Sequence, residues 1–172
     1  MSFVPDDPAD HLLACLPRLR RYARALVGER AAADDLVQDC LERAVSRWYL
    51  RRDDGHLRAW LFTMLRNLYI NSYHRQKRRG TRVRLDESIM PSVAPNQTDQ
   101  LEMNDVLSAL ERLPEDHKSI LLLIGVEDLS YEETARVLSV PVGTVMSRLS
   151  RARQGLRALL SGSRVTPLRR VK

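Results

Sequence analysis

Apolar positions recur at spacings of three and four along most of the chain and nowhere alternate with period two. That spacing predicts amphipathic helices and argues against strands, so the fold class is expected to be all-α. Leu12, Leu16, Leu19, Tyr22, Ala23 and Leu26 form a first stripe, and Gly28 supplies a helix stop. Pro17 lies inside that stripe and is expected to kink the helix or to mark its true start, because proline lacks the backbone donor and crowds the preceding turn. A second helix is expected over roughly 30–49, with Leu36, Val37, Cys40, Leu41, Ala44, Val45 and Trp48 on its apolar side. The turn-forming run Arg51-Arg-Asp-Asp-Gly55 ends it. A third helix runs from about Leu57 to Arg79 and buries Leu61, Met64, Leu65 and Leu68.

The periodicity then lapses. Gly80 to Thr98 contains Gly80, Pro91, Pro95 and Asn96 among several hydroxyl residues, the composition of a linker. Helical patterning resumes at 99–112 through Leu101, Val106, Leu107 and Leu110, and Pro114 opens a helix with the apolar body Ile120–Ile124. Ser130-Tyr-Glu-Glu133 has the spacing of a capping box, in which the serine and the glutamate three residues on satisfy each other's backbone donors. A short helix at 131–138, a turn at Ser139-Val-Pro141 and a last helix from Val142 to about Leu160 follow. The expectation is two small helical domains, 10–80 and 99–162, joined by a flexible linker at 81–98 and followed by a basic tail at 163–172.

Charge sharpens this picture. The chain has 172 residues, with 28 Lys plus Arg against 22 Asp plus Glu, a net charge of +6. Seven basic residues and no acid lie between Arg66 and Arg84, and eight and no acid between Arg148 and Lys172. Two separate cationic runs favour a polyanion, with nucleic acid ahead of membrane. No apolar run approaches the ~20 residues of a membrane span. Met1–Asp10 carries three acids and no apolar core, so neither membrane insertion nor a secretory signal is expected. Cys15 and Cys40 lack metal-ligand or redox spacing and are expected to be small core residues in a reducing cytoplasm. The four histidines are scattered, no Gly-rich phosphate loop is visible, and no enzyme, metal or cofactor is expected.

Two short helices joined by a tight turn, the second one basic, form the helix-turn-helix pattern, whose second helix enters the major groove. Val145, Leu149, Ala152 and Leu156 form the expected core stripe of that helix. Thr144, Ser147, Arg148, Ser150, Arg151 and Arg153 lie on the other side. Short hydroxyls allow close approach to the groove floor and arginine grips guanine or phosphate, so these six are candidate duplex contacts. On the third helix, Asn67, Asn71 and Arg75 fall at i, i+4 and i+8, beside Tyr69, Tyr73, Arg66 and His74, with Trp60 ahead and Lys77 and Arg78 behind. Flat aromatics interleaved with amides and cations suit unpaired bases. The alternative is that Trp60 and Tyr69 belong to the core. The second helix presents Asp35, Gln38, Asp39 and Glu42 opposite its apolar stripe, a surface for a cationic protein or merely an acidic first turn.

Together these residues resemble a known family. Asp34-Asp-Leu-Val-Gln-Asp-Cys-Leu-Glu-Arg-Ala44 is similar to the polymerase-binding helix of sigma factors. Trp60–Arg75 is similar to their −10-element helix. Leu113-Pro114, Leu129–Ala135 and Val140–Arg153 resemble their −35-element domain. The size and the single linker resemble the extracytoplasmic-function (ECF) type of the sigma-70 family. The resemblance implies a transcription initiation factor that binds core RNA polymerase through the β′ clamp helices and the β flap. It would direct the polymerase to promoter DNA and assist DNA opening, and an anti-sigma factor, tethered at the membrane, would hold it in check. It implies that Asp35, Leu36, Gln38 and Asp39 meet the polymerase. The loop from Leu50 to His56, with Arg52 and Asp53, would hold a flipped-out −10 base. Trp60, Asn67, Asn71, Arg75, Lys77 and Arg78 would line the opened strand, and the six residues of the last helix would read the −35 element.

Two residues depart from the family pattern: Asn71 stands where Asp is frequent, and Met146 where Lys or Arg is frequent. The second departure removes a cation from the −35 face. Two other classes stay open on the residues alone, a sigma-mimic regulator that sequesters an anti-sigma factor and a helix-turn-helix repressor.

Overall fold

In the computed structural model the described residues are 8–51, 55–79 and 97–163. They form seven α-helices and one 3₁₀ turn, with no strand among them. The helices are α1 (Pro8–Val27), α2 (Arg30–Ser46), α3 (Leu57–Arg79), α4 (Gln97–Glu111), α5 (Glu115–Gly125), α6 (Tyr131–Leu138) and α7 (Val142–Ser163); the 3₁₀ turn is Trp48–Leu50. The expected linker and basic tail fall almost wholly outside the described residues.

Helices α1, α2 and α3 pack pairwise into an N-terminal bundle. Its centre is Leu19, Tyr22, Leu26, Cys40, Leu61, Phe62 and Leu65, all fully buried, with the Tyr22 and Phe62 rings edge to face at 5.2 Å. Helix α1 begins at Pro8 and continues through Pro17, so Pro17 does not mark its start. The reason is local: Pro17 and Leu13 are both on the exposed side, where water can satisfy the Leu13 carbonyl that loses its partner. Glu29 caps α2, its carboxylate accepting from the Ala31 and Ala32 amides at 2.7 Å each. Val45 is exposed rather than buried, because α2 gives way to the 3₁₀ turn before its last stripe position reaches the core.

Helices α4–α7 form the second bundle, with α7 packed on α4, α5 and α6. Ile120, Leu123, Val137, Val145, Leu149 and Ala152 are its core. Gly155 allows close approach to α4's end, since a Cβ there would stand 3.0 Å from Leu113 Cδ2. The capping box forms as expected: Glu133 N donates to Ser130 Oγ at 3.0 Å and Ser130 N to Glu133 Oε2 at 2.9 Å. Ser139 closes α6 in the left-handed region with φ 54°. Val140 N then donates back to Ala135 O, and Pro141 opens α7. This is the tight turn of a helix-turn-helix.

The two bundles dock on one another. Helix α3 packs against α6, and α1 against α5. Charged side chains cross the interface, and the apolar core is one cluster that runs through both bundles. Arg21 of α1 holds Glu127 with two hydrogen bonds of 2.8 Å, and Glu127 is 0% exposed. Arg58 reaches Glu133 at 3.2 Å. Lys118, itself buried, donates to Leu26 O at 2.8 Å, at the negative end of α1. Burial holds the Lys118 ammonium pKa below its usual range.

Candidate nucleic-acid and partner interfaces

On α2, Asp35, Gln38, Asp39 and Glu42 are all exposed, and Gln38 Nε2 donates to Glu42 Oε1 at 3.1 Å. Asp34 does not join them; it turns toward Arg20 and Arg24 at 4.0 and 3.9 Å. No acid occupies the first turn of α2, so the patch is not there to neutralise the helix terminus. Leu36 lies beneath this face. It is only 8% exposed and packs into the N-terminal core, so it supports the acidic face from beneath. The sequence reading missed the continuation of that face. Val45, three residues after Glu42 on α2, and Tyr49, in the 3₁₀ turn that follows, are exposed at 59% and 81%. The signal was present in the spacing, but both are apolar and Val45 had been assigned to the core.

Helix α3 divides into sectors. Asn67, Asn71 and Arg75 are exposed along one line, and Arg78 is exposed beyond them. Lys77 lies on the same helix, its side chain outside the described set. Tyr69 is not on this open face. It is buried, and its hydroxyl donates to Glu115 Oε2 of α5 at 2.8 Å. Burial, with the Glu115 charge second, raises its pKa well above the usual phenol range. Tyr73 packs against it at 5.9 Å between ring centroids, half-buried. Of the aromatics expected to stack on bases, Tyr69 is therefore committed to the contact between bundles.

Trp60 is half-buried, edge to face with Trp48 at 6.3 Å, and Trp48 stacks on His11 at 6.1 Å. Arg51 lies over the Trp48 ring, 4.6 Å from its centroid. Leu50, Arg51, His56, Ala59, Trp60, Thr63 and, from α6, Arg136 line a cleft of about 360 Å³. Arg52 and Asp53 lie outside the described residues. The cleft has an apolar, aromatic floor and a cationic rim, the chemistry that accepts a planar base on a phosphate backbone. Arg136 had not been singled out, because only the docking of α6 on α3 brings it there.

On α7, Val145, Leu149 and Ala152 are buried and Leu156 half-buried, as the stripe predicts. Ser147, Ser150, Arg151 and Arg153 are exposed, and Thr144 is half-buried. Met146 is 52% exposed, so it places an apolar side chain on the open side of the helix. Arg148 is half-buried and reaches Asp116 Oδ2 of α5 at 3.2 Å.

Residues 12–66 match the family described as the Sigma2 domain of PhyR, and residues 103–156 match Sigma-70, region 4. Over 157 residues the chain is 39% identical to the ECF RNA polymerase sigma factor EcfG of Rhodopseudomonas palustris, covering 91% of this chain and 87% of that one. The chain belongs to the ECF RNA polymerase sigma factors. It is 35% identical to SigL of Mycobacterium tuberculosis over 86% of this chain and 85% of that protein. Among solved structures, the sigma factor RpoE of Bartonella quintana, in complex with the anti-sigma factor NepR, matches with a TM-score of 0.75 and 34% identity, covering 91% and 98% of the two chains. CnrH, in complex with the cytosolic domain of CnrY, matches with a TM-score of 0.70 and 25% identity, covering 90% and 88%. The protein is thus a transcription initiation factor of two helical domains, the second a helix-turn-helix domain. Among the described residues no helix is long and apolar enough to cross a membrane.

Proposed function

We propose that the acidic face of α2 is the polymerase-binding surface and that α3 and α7 share the promoter. The observation that carries this reading is a separation of chemistry. Asp35, Gln38, Asp39 and Glu42 stand exposed on one helix, while Asn67, Asn71 and Arg75 on α3 and Ser147, Ser150, Arg151 and Arg153 on α7 carry amides, hydroxyls and arginines. Carboxylates repel a phosphate backbone and attract a cationic protein; the other two sets do the reverse. Apolar Val45 and Tyr49 extend the α2 face and supply the desolvated anchor that an interface of this kind uses. The cleft beside Trp60 takes a base displaced from the −10 element, Asn67, Asn71 and Arg75 follow the strand beyond it, and α7 enters the −35 major groove.

The partners follow: core polymerase through its clamp helices and flap, promoter DNA, and an anti-sigma factor. One solved relative, RpoE, was captured with the anti-sigma factor NepR, which supports the last of these. The match of 12–66 to the sigma2 domain of PhyR favours one second reading, a sigma mimic that only sequesters an anti-sigma factor. Run-off transcription with purified core polymerase separates the two, since only a sigma factor yields a promoter-dependent transcript. In the same assay Asp39→Arg is expected to abolish both polymerase pull-down and transcript while helical content is unchanged. Undiminished pull-down would remove the acidic face from the reading.

A further inference from the structure

The N-terminus of α5 places two carboxylates where they meet the candidate DNA helices. Glu115 accepts from Tyr69 of α3, as described above. Asp116 bridges the two domains' reading helices: its Oδ1 takes Arg66 Nη2 of α3 at 2.7 Å and its Oδ2 takes Arg148 Nη1 of α7 at 3.2 Å. Arg66 is the side chain adjacent to Asn67, and Arg148 stands between Ser147 and Ser150 in the α7 set. Arg66 is mostly buried by this pairing, with 13% of its side chain exposed, whereas Asp116 keeps 48%. A carboxylate offering one oxygen to each of two guanidinium groups supplies two anionic acceptors, as the two free oxygens of a phosphodiester do.

We infer that Asp116 is an intramolecular stand-in for DNA phosphate, occupying one arginine from each DNA-reading helix while the two domains are docked. This rests on the reading of α3 and α7 as DNA helices and adds to it a competition within the chain. Duplex DNA and Asp116 are alternative partners of Arg66 and Arg148. The docked protein is therefore a weak DNA binder, and release of the two arginines is coupled to promoter engagement. No partner protein is needed for this restraint.

The test is a double-mutant cycle on the full chain. Binding to a fluorescein-labelled mixed-sequence duplex of about two helical turns is followed by anisotropy across a salt series. Asp116→Asn keeps the side chain's shape and removes its charge; Asp105→Asn, at an exposed position on α4, is the control for net charge. Asp116→Asn is expected to tighten binding beyond the control and to steepen the dependence of log K on log salt by about one to two, roughly one per arginine released to a phosphate. Arg148→Ala is expected to weaken binding more in the Asp116→Asn background than in the wild-type background. Equal effects of Asp116→Asn and Asp105→Asn, or strict additivity with Arg148→Ala, would overturn the competition. If Arg148→Ala changes duplex binding in neither background, the DNA role of Arg148 itself fails, and the inference with it. Circular dichroism confirms that the variants compared are folded.

Discussion

Helices α3 and α7 carry the candidate DNA contacts, yet they are held in different ways. Helix α7 buries one stripe, Val145, Leu149 and Ala152, and leaves a broad polar side open except at Arg148. Helix α3 buries two sides. Leu61, Phe62 and Leu65 face α1 and α2, while Arg58, Arg66 and Tyr69 are taken up by acids of α5 and α6. A helix with one buried stripe has a periodicity that separates core from function. A helix buried on two sides does not, because its second interface is built from polar residues that look like a solvated or ligand-binding face. The comparison teaches that the open surface of α3 is narrower than its sequence suggests, a line of Asn67, Asn71 and Arg75 between two contacts.

Breaking the bundle side of α3 should have the largest effect. Phe62→Ala removes a fully buried ring packed on Tyr22 and is expected to cost about 3–5 kcal/mol of unfolding free energy, measured by urea denaturation. A cost below about 1 kcal/mol would mean that this side is not core. The contact between bundles is next. Arg21→Ala leaves the Glu127 carboxylate buried without its cation; such losses reach about 3–5 kcal/mol. Because Arg21 is itself half exposed, solvent screening reduces the expectation to about 2 kcal/mol. Arg21→Lys, which keeps the charge but loses the paired hydrogen bonds, should fall between the two.

The seal between α2 and α3 is tested by pH. Cys40 Sγ lies 3.6 Å from Leu61 O, and burial pushes the thiol from 9.0 up to about 12. The unfolded thiol therefore ionises first, so this contribution is complete below about pH 9 and is lost as pH rises toward 12. The slope is about 1.4 kcal/mol per pH unit at most. The difference in unfolding free energy between the wild type and Cys40→Ala should shrink by about 1 kcal/mol between about pH 9 and 10. Lys118, whose pKa burial lowers, acts with the opposite sign and cancels because both proteins keep it. The smallest effect is expected at the cap of α6, the helix that covers the second side of α3. Ser130→Ala removes the acceptor of the Glu133 amide and should cost about 1 kcal/mol, read from thermal unfolding.

The helices, their order and most of their ends follow from local spacing and capping residues. α3 and α6 occupy the expected residues, because Gly55 and Ser130 act locally and the apolar spacing needs no partner to be read. The core stripe of α7 and the acidic face of α2 were legible for the same reason: each depends on one helix and one period. The sequence also carried the family, since its motifs are short, contiguous and in order.

How one bundle uses the other is set by their packing. Val45 shares the apolar spacing of α2 yet is 59% exposed, which the helical period alone does not reveal. Tyr69 became an interface residue because Glu115 arrives from 46 residues away, and Arg136 reached the cleft because α6 docks on α3. The bridging role of Asp116 is of the same kind, for neither Arg66 nor Arg148 is near it in sequence. Periodicity reports what a helix must hide from water; it cannot report which charge will be opposite once two helical bundles meet. Ion pairing across a docked interface is set by distances of a few ångströms between residues unrelated in the chain, and those distances exist only in the folded molecule.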